Sequence, residues 1–333
     1  MNPTVAAGEI AVVIPAYKVT RHILDVIGAM PLSVSRIYVV DDACPDGSGA
    51  LVINRCDDPR VRVLFNKVNL GVGGAVKHGY RAAVADGADV AVKVDGDGQM
   101  DPALIPLFVA PILSGRADYT KGNRFFDVSV MKKMPFVRLF GNAVLSFLSK
   151  LSTGYWSLFD PTNGYTALSC RVVPLLALDK VSDRYFFETD ILFRLNSIGA
   201  VVRDVPMVAH YADEVSNLKI SKVIPEFSVA HLRNFLKRIF YNYYLRDFSV
   251  ASIALLVAVP LFCFGVGFGA FKWWMSVTTG VVATSGEVML AVLPLTVGFH
   301  LFLAFISYDM MNVAKEPLTQ LLGGRPSHGR VGE

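Results

Sequence analysis

Short β-branched runs alternate with stretches of helical length over the first part of the chain. Ile10–Ile14 is an apolar run closed by Pro15, and Arg36–Val40, Val61–Phe65 and Asp89–Val94 follow it. Each is too short and too rich in branched residues for a helix, and reads as a buried strand. Segments near 20–30, 48–57 and 71–86 have helical length. Strands alternating with helices predict an α/β fold with a mostly parallel sheet and right-handed crossovers. Such sheets bind ligands beyond the carboxyl ends of their strands. The polar residues gather at those ends: Tyr17, Asp41, Asp42, Asn69, Asp95 and Asp97. The pattern is less regular from about 125 to 247, where Tyr119–Gly122, Tyr165–Ser169 and Ala200–Pro206 read as further strands.

The hydropathy changes character after Asp247. Phe248–Phe271 and Val288–Tyr308 contain no charged residue, and each is long enough as a helix to cross ~30 Å of hydrocarbon. Two basic, aromatic, amphipathic segments suit a membrane interface. One runs from Val130 through Arg138 to Lys150. The other, His231–Asp247, carries Arg233, Lys237, Arg238 and Arg246 among Phe235, Phe240, Tyr241, Tyr243 and Tyr244, directly before the first span. Lys237, Arg238 and Arg246 precede the hairpin, Lys315, Arg325 and Arg330 follow it, and its connector Lys272–Glu287 holds one charge of each sign. The positive-inside rule then places the domain before the spans and both termini in the cytosol, at the inner or plasma membrane if the chain is bacterial. The expected organisation is a catalytic domain over 1–220, amphipathic juxtamembrane helices over 221–247, two spans over 248–312 and a cytosolic tail over 313–333. Gly265 and Gly269 form a GxxxG pair, which fits helix association, a homo-oligomer included, or close packing within the hairpin. His300, in mid-span, is expected to be buried and hydrogen-bonded. The N-terminal stretch has no basic residue before its apolar run and reads as a strand, not a signal peptide.

Composition agrees with a part-membrane chain. Of 333 residues 18% are charged and 53% hydrophobic, against about 25% charged in soluble domains. A net charge of +4 is too small to argue for nucleic acid and suits flanks near anionic lipid. Cys44, Cys56, Cys170 and Cys263 lack metal-ligand spacing and are expected as reduced thiols.

Candidate chemistry centres on Lys93-Val-Asp95-Gly-Asp97-Gly-Gln99-Met-Asp101-Pro102. Two carboxylates two residues apart at a strand end repel each other until a hard divalent cation, Mg²⁺ or Mn²⁺, joins them and bridges to phosphate oxygens. Gln99 adds a neutral oxygen. In Asp41-Asp42-Ala-Cys-Pro-Asp46-Gly47 the acidic strand end can accept bonds from a ribose or base, and Asp46 is expected to cap the next helix. Asn69-Leu-Gly71-Val-Gly73-Gly74 begins a helix with glycines that permit close approach of a phosphate or sugar. It lacks the Lys-Ser/Thr ending of a P-loop.

As a set, Pro15-Ala-Tyr17, Val39-Val-Asp41-Asp42-x-x-Pro45-Asp46-Gly47, Asn69-x-Gly71-x-Gly73 and Asp95-x-Asp97-x-Gln99-x-x-Pro102 resemble the family-2 glycosyltransferases of the GT-A (Rossmann-like) fold, and among them the polyprenyl-phosphate sugar synthases of the dolichol-phosphate mannose synthase type. The resemblance implies that Asp95, Asp97 and Gln99 hold the metal and donor diphosphate, and that Pro15, Tyr17, Asp41 and Asp42 line the nucleoside pocket with Asn69 and Gly71 beside them. Gly122-Asn-Arg124 looks like the family's Gly-Ser-Arg element, which puts Arg124 and Arg138 on the acceptor phosphate. Phe159-Asp160-x-x-Asn163-Gly164-Tyr165 is similar to the element that brings an aspartate to the sugar, and Phe187-Glu188-Thr-Asp190 to the acidic element after it. Val215-Ser-Asn217-Leu-Lys219 resembles the family's Ser-Lys-Leu stretch, with Lys219 as the candidate phosphate contact. Lys18-Val19, Asn163 and Asn217 depart from the family pattern.

The implied activity is inverting transfer of one hexose from a GDP- or UDP-sugar to a polyprenyl phosphate at a bilayer surface, with Asp160 or Asp190 orienting the sugar or acting as a weak base. Extension of a lipid-linked glycan and a non-catalytic membrane scaffold are the alternatives. A processive polysaccharide synthase is disfavoured: no Arg precedes a Trp in this chain, so the Gln-x-x-Arg-Trp motif is missing, and two spans make a poor pore.

Overall fold

The computed structural model describes residues 8–126, 136–161, 163–207 and 220–322. The chain divides into two compact units, Met1–Phe235 with Ala314–Glu333, and Leu236–Val313.

The first unit is built on strands β1 (Ile10–Ala16), β2 (Arg36–Asp41), β3 (Val61–Phe65), β4 (Val90–Lys93), β5 (Tyr119–Asn123), β6 (Thr166–Ser169) and β7 (Val202–Pro206). They form one seven-stranded sheet in the order β3-β2-β1-β4-β6-β5-β7. β3, β2, β1 and β4 are parallel, β6 runs against both β4 and β5, and β7 is parallel to β5. Helices α1 (Ile23–Gly28), α2 (Ser48–Arg55), α3 (Val72–Ala85) and α4 (Ile105–Leu113) connect the first strands, and α5 (Phe136–Thr153), α6 (Phe187–Ser197) and α7 (Ile220–Phe240) follow. The central strands are apolar on both faces because helices cover both: every residue of β4 is buried, and Val12, Ile14, Val39, Val92, Phe108 and Ile112 share one core. This is the expected α/β sheet. β6 reverses the parallel order at the strand beside β4.

The second unit holds α8 (Val250–Thr279) and α9 (Ser285–Met311), both long and apolar enough to cross a membrane. Ser249 and Thr284 cap their starts in reciprocal capping boxes. Gly265 lets the helices touch: a Cβ there would sit 2.7 Å from the Leu295 amide nitrogen and 2.8 Å from the Ala291 oxygen. The GxxxG pair is therefore used within the hairpin. Before α8, a π-helical turn at Tyr241–Arg246 carries Tyr243. Arg238 makes a two-pronged pair with Asp309, at 2.6 and 2.9 Å, and the Tyr243 hydroxyl donates to the same carboxylate at 2.6 Å. All three side chains are buried, which satisfies a charge pair that would otherwise be costly. His300 departs from expectation. It lies on an exposed face of α9 and bonds the Thr296 carbonyl one turn back, at 2.8 Å. The four cysteines are free thiols.

Candidate active site

β1, β2 and β4 run in one direction with Ala16 opposite Asp41 and Val13 opposite Lys93, so their carboxyl ends open on a single edge. That edge carries Pro15 and Tyr17, Asp41 and Asp42, and Asp95 and Asp97. Tyr17 is 45% exposed. Lys18 follows in the left-handed region at φ 59°, and its amide donates to the Cys44 sulfur. An asparagine would tolerate that backbone better than lysine.

Asp41 and Asp42 are each 3% exposed. Asp41 accepts from the Cys44 amide at 2.7 Å and the Gly49 amide at 2.6 Å. Asp42 accepts from the Asn66 side chain and from the Leu70 and Gly71 amides, at 2.7–2.9 Å. These carboxylates shape the loops after β2 and before α3. The expected Asp46 cap is corrected: the N-cap of α2 is Gly47, at φ 66°, with no side-chain cap bond, and the Gly49 amide in its first turn is met by Asp41. The glycines opening α3 also lie close to the chain itself. A Cβ at Gly71 would lie 2.7 Å from the Asp183 oxygen and one at Gly73 2.4 Å from the Ser182 oxygen, so the close approach is to the loop before α6. Lys77 seals that contact with the Val181 carbonyl at 2.8 Å and Asp183 at 2.6 Å. Asn69 is exposed and donates to the Asp42 carbonyl at 3.3 Å.

Asp95 and Asp97 occupy the turn leaving β4. Asp97 accepts from the Gln99 amide at 3.0 Å, which fixes the turn. The donor set suits a hard divalent cation: two carboxylates and an amide oxygen, partly exposed, at a strand end. Among the described residues no three His, Cys, Asp or Glu side chains come together. A cation held here would complete its shell with diphosphate oxygens and water, as Mg²⁺ does. Lys93, which the motif reading passed over, stands 2.8 Å from Asp95. Burial acts to deprotonate Lys93, but Asp95 and Glu188 outweigh it and raise its pKa.

The second half of the chain brings Arg124 and Asp160 together. Arg124 Nε and Nη2 donate to the two oxygens of Asp160 at 2.7 and 3.1 Å. Asp160 is fully buried and the Arg124 side chain is 31% exposed. Asp160 is therefore placed to orient Arg124, and the expectation that it meets the sugar or acts as a base finds no exposed oxygen to support it. Asp190, the other candidate, is 1% exposed and accepts from the Ser182 amide at 2.8 Å and the Asn234 side chain at 2.9 Å. It joins α6 to α7. Asn163, at a position that departs from the family, accepts from the Tyr165 amide at 2.9 Å and shapes the entry to β6. The side chain of Arg138 and all of Lys219 lie outside the described residues.

Two further groups were missed. Lys121 in β5 is buried against the Asn163 carbonyl, and burial lowers its pKa to about 8. Asp204 in β7 accepts from the Phe159 amide at 3.0 Å and the Asn123 side chain at 3.2 Å, and burial raises its pKa. A charged residue inside an otherwise apolar strand was the available signal for Lys93.

The model of glycosyl transferase family 2 matches residues 11–174. An undecaprenyl-phosphate mannosyltransferase of Micrococcus luteus is 30% identical over 203 residues, 60% of this chain and 82% of that protein. A polyprenol monophosphomannose synthase of Mycolicibacterium smegmatis is 28% identical over 59% of this chain and 75% of that one. A UDP-N-acetylglucosamine–dolichyl-phosphate N-acetylglucosaminyltransferase of Methanococcus voltae is 27% identical over 61% and 86%. Among solved structures, a glucosyl-3-phosphoglycerate synthase from Mycobacterium tuberculosis, in complex with Mn²⁺, UDP and its glucosyl product, matches with a TM-score of 0.50 at 20% identity, over 69% of this chain and 80% of that one. That likeness concerns the GT-A fold. With the sheet, the Asp95–Asp97 turn and these relatives in agreement, the chain is a glycosyltransferase and belongs to glycosyl transferase family 2.

Proposed function

We propose that this enzyme transfers one hexose, with inversion, from a GDP- or UDP-linked donor to a polyprenyl phosphate at the cytosolic face of a membrane. The observation that carries the reading is the Asp95–Asp97 turn on the ligand-binding edge of the sheet, in a chain that continues into two helices of membrane-spanning length. The names of the relatives support the acceptor class. They differ in sugar but share a polyprenyl or dolichyl phosphate. A cation bound at this turn would stabilise the departing diphosphate. Asp95, Asp97 and Gln99 would hold it, and Pro15 and Tyr17 would flank the nucleoside. A lipid phosphate, with a second pKa of about 6, is already mostly dianionic at cytosolic pH. It needs to be held and aimed rather than deprotonated. Arg124, set in one orientation by Asp160, suits that task through its planar donor geometry.

The test is incubation of purified protein with undecaprenyl phosphate, Mg²⁺ or Mn²⁺ and a panel of GDP- and UDP-sugars, with the lipid product weighed by mass spectrometry. The expected product is the lipid phosphate plus one hexose, lost on chelation and in Asp97→Asn. A panel that yields no glycosylated lipid overturns the proposal.

A further inference from the structure

Lys93 ends β4 with its side chain turned inward, at 1% exposure. Its ammonium lies 2.8 Å from Asp95 Oδ1 and 3.4 Å from Glu188 Oε1, and it donates to the Gly164 carbonyl at 3.1 Å. These oxygens come from three segments: the turn after β4, the first turn of α6 and the entry to β6. Two carboxylates pair with the ammonium by charge, and the carbonyl accepts its hydrogen bond. Gly164 confines the arrangement, since a Cβ there would stand 2.6 Å from Lys93 Nζ and 2.9 Å from Asp95 Oδ2. One oxygen of Asp95 thus faces the ammonium and the other faces Gly164.

We propose, resting on the metal-dependent reading above, that Lys93 is a positioning residue for the cation site. It acts as a resident cation that fixes Asp95 and Glu188 and restrains divalent-cation binding until a nucleoside diphosphate arrives. Carboxylates without a counter-ion attract any divalent cation, and a fixed ammonium beside them cancels one charge and repels the newcomer. The diphosphate restores the missing negative charge, so cation and diphosphate enter as a coupled pair. Arginine is a poor substitute, because a planar fork cannot address three oxygens that converge from separate segments.

Mn²⁺ binding, followed by calorimetry and by the Mn²⁺ electron paramagnetic resonance signal, tests this without turnover. It is measured with Mn²⁺ alone, then with UDP, then with GDP. Lys93→Met is expected to bind Mn²⁺ alone about tenfold tighter than the parent, to lose a similar factor of coupling to diphosphate, and to lower kcat more than it changes KM. Lys93→Met/Glu188→Gln, which removes one charge of each sign, is expected to return Mn²⁺ affinity toward the parent value. Unchanged or weaker Mn²⁺ binding by folded Lys93→Met overturns the proposal. If that variant does not fold, Glu188→Gln alone decides: weaker binding of free Mn²⁺ supports the proposal, and unchanged binding overturns it. Asp97→Asn separates this from the reading beneath it. If that variant binds Mn²⁺ and diphosphate as the parent does, the metal-dependent reading itself fails, whatever Lys93 does.

Discussion

Arg124 and Asp160 form an ion pair that is buried on one side and open on the other. Asp160 is fully buried and gives both oxygens to a guanidinium that remains partly exposed. Removing one partner of a buried pair leaves an uncompensated charge, at a cost of about 3–5 kcal/mol, and the exposure of Arg124 places this case near the lower end. Asp160→Asn is expected to lower stability by about 3 kcal/mol, read from denaturant melts in detergent. It is also expected to reduce kcat without removing the acid limb of the pH–rate profile, because on the proposed reading the carboxylate aims Arg124 and is not the base. Loss of that limb would restore Asp160 as a base. At this scale the sequence was informative wherever spacing alone sets the chemistry. Asp95 and Asp97 are neighbours along the chain, so a single turn after β4 carries both. Lys121 and Asp204 were not legible, because the carbonyl and amides they meet come from distant segments, and neither was the pairing of Lys93 with Glu188. Asp41 and Asp42 stand at the end of β2 as the strand pattern puts them, but their bonds to loop amides follow from loop paths that no spacing rule specifies.

Elements were more legible than their contacts. Val61–Phe65 lies where its branched residues put it, and the other strands agree within a residue or two at each end. The helix expected near 20–30 is shorter, Ile23–Gly28, because the preceding residues are tied to the Cys44 loop through Lys18. α7 illustrates what an amphipathic pattern leaves unsaid. His231, read as part of a basic interfacial face, is 4% exposed, packs edge-on to Phe186 at 5.0 Å and bonds the Ser152 hydroxyl of α5 through Nδ1 at 2.8 Å. Burial lowers its pKa to about 4. The unfolded chain takes up that proton near pH 6.5 and the folded chain only near 4, so the unfolded state binds more protons across that window. Stability is therefore expected to fall as pH drops from about 6.5 toward 4, by at most about 3 kcal/mol from this residue. His231→Asn should flatten that slope when melts are compared at pH 7 and pH 5, and an unaltered slope would assign the acid sensitivity elsewhere. In the hairpin, Gly265→Val would drive a side chain into the Leu295 and Ala291 backbone. Overpacking of this kind costs about 1–3 kcal/mol, and it should appear as a lower melting midpoint of the detergent-solubilised protein.

The chain leaves the first unit after Phe235 and rejoins it at Ala314. The return is anchored. Asp118, fully buried at the start of β5, accepts from the Leu318 and Thr319 amides at 2.9 Å each and from the Val201 amide at 2.8 Å, and Gln320 donates to the Gly115 carbonyl at 2.6 Å. Asp118 thereby caps the short helix α10 (Leu318–Leu321) from within the catalytic unit. A segment bonded in this way to the catalytic sheet lies on the same side of a bilayer as that sheet. Two spans return a chain to the side from which it started, so the bonding agrees with the basic residues that flank both ends of the hairpin. On the proposed cytosolic placement of the sheet, a hairpin that crosses the bilayer puts the connector near Val282 on the opposite side. In a background with Cys44, Cys56, Cys170 and Cys263 replaced, Val282→Cys is expected to react with a membrane-impermeant maleimide in intact cells, because Val282 is 82% exposed. Lys315→Cys, at an exposed position just before the anchored turn, should react only after the membrane is opened. Labelling of Lys315→Cys in sealed cells would place the catalytic edge, with Asp95 and Asp97, outside and cut it off from cytosolic nucleotide-sugars. Equal labelling at both positions in sealed cells would mean that the hairpin does not cross the bilayer.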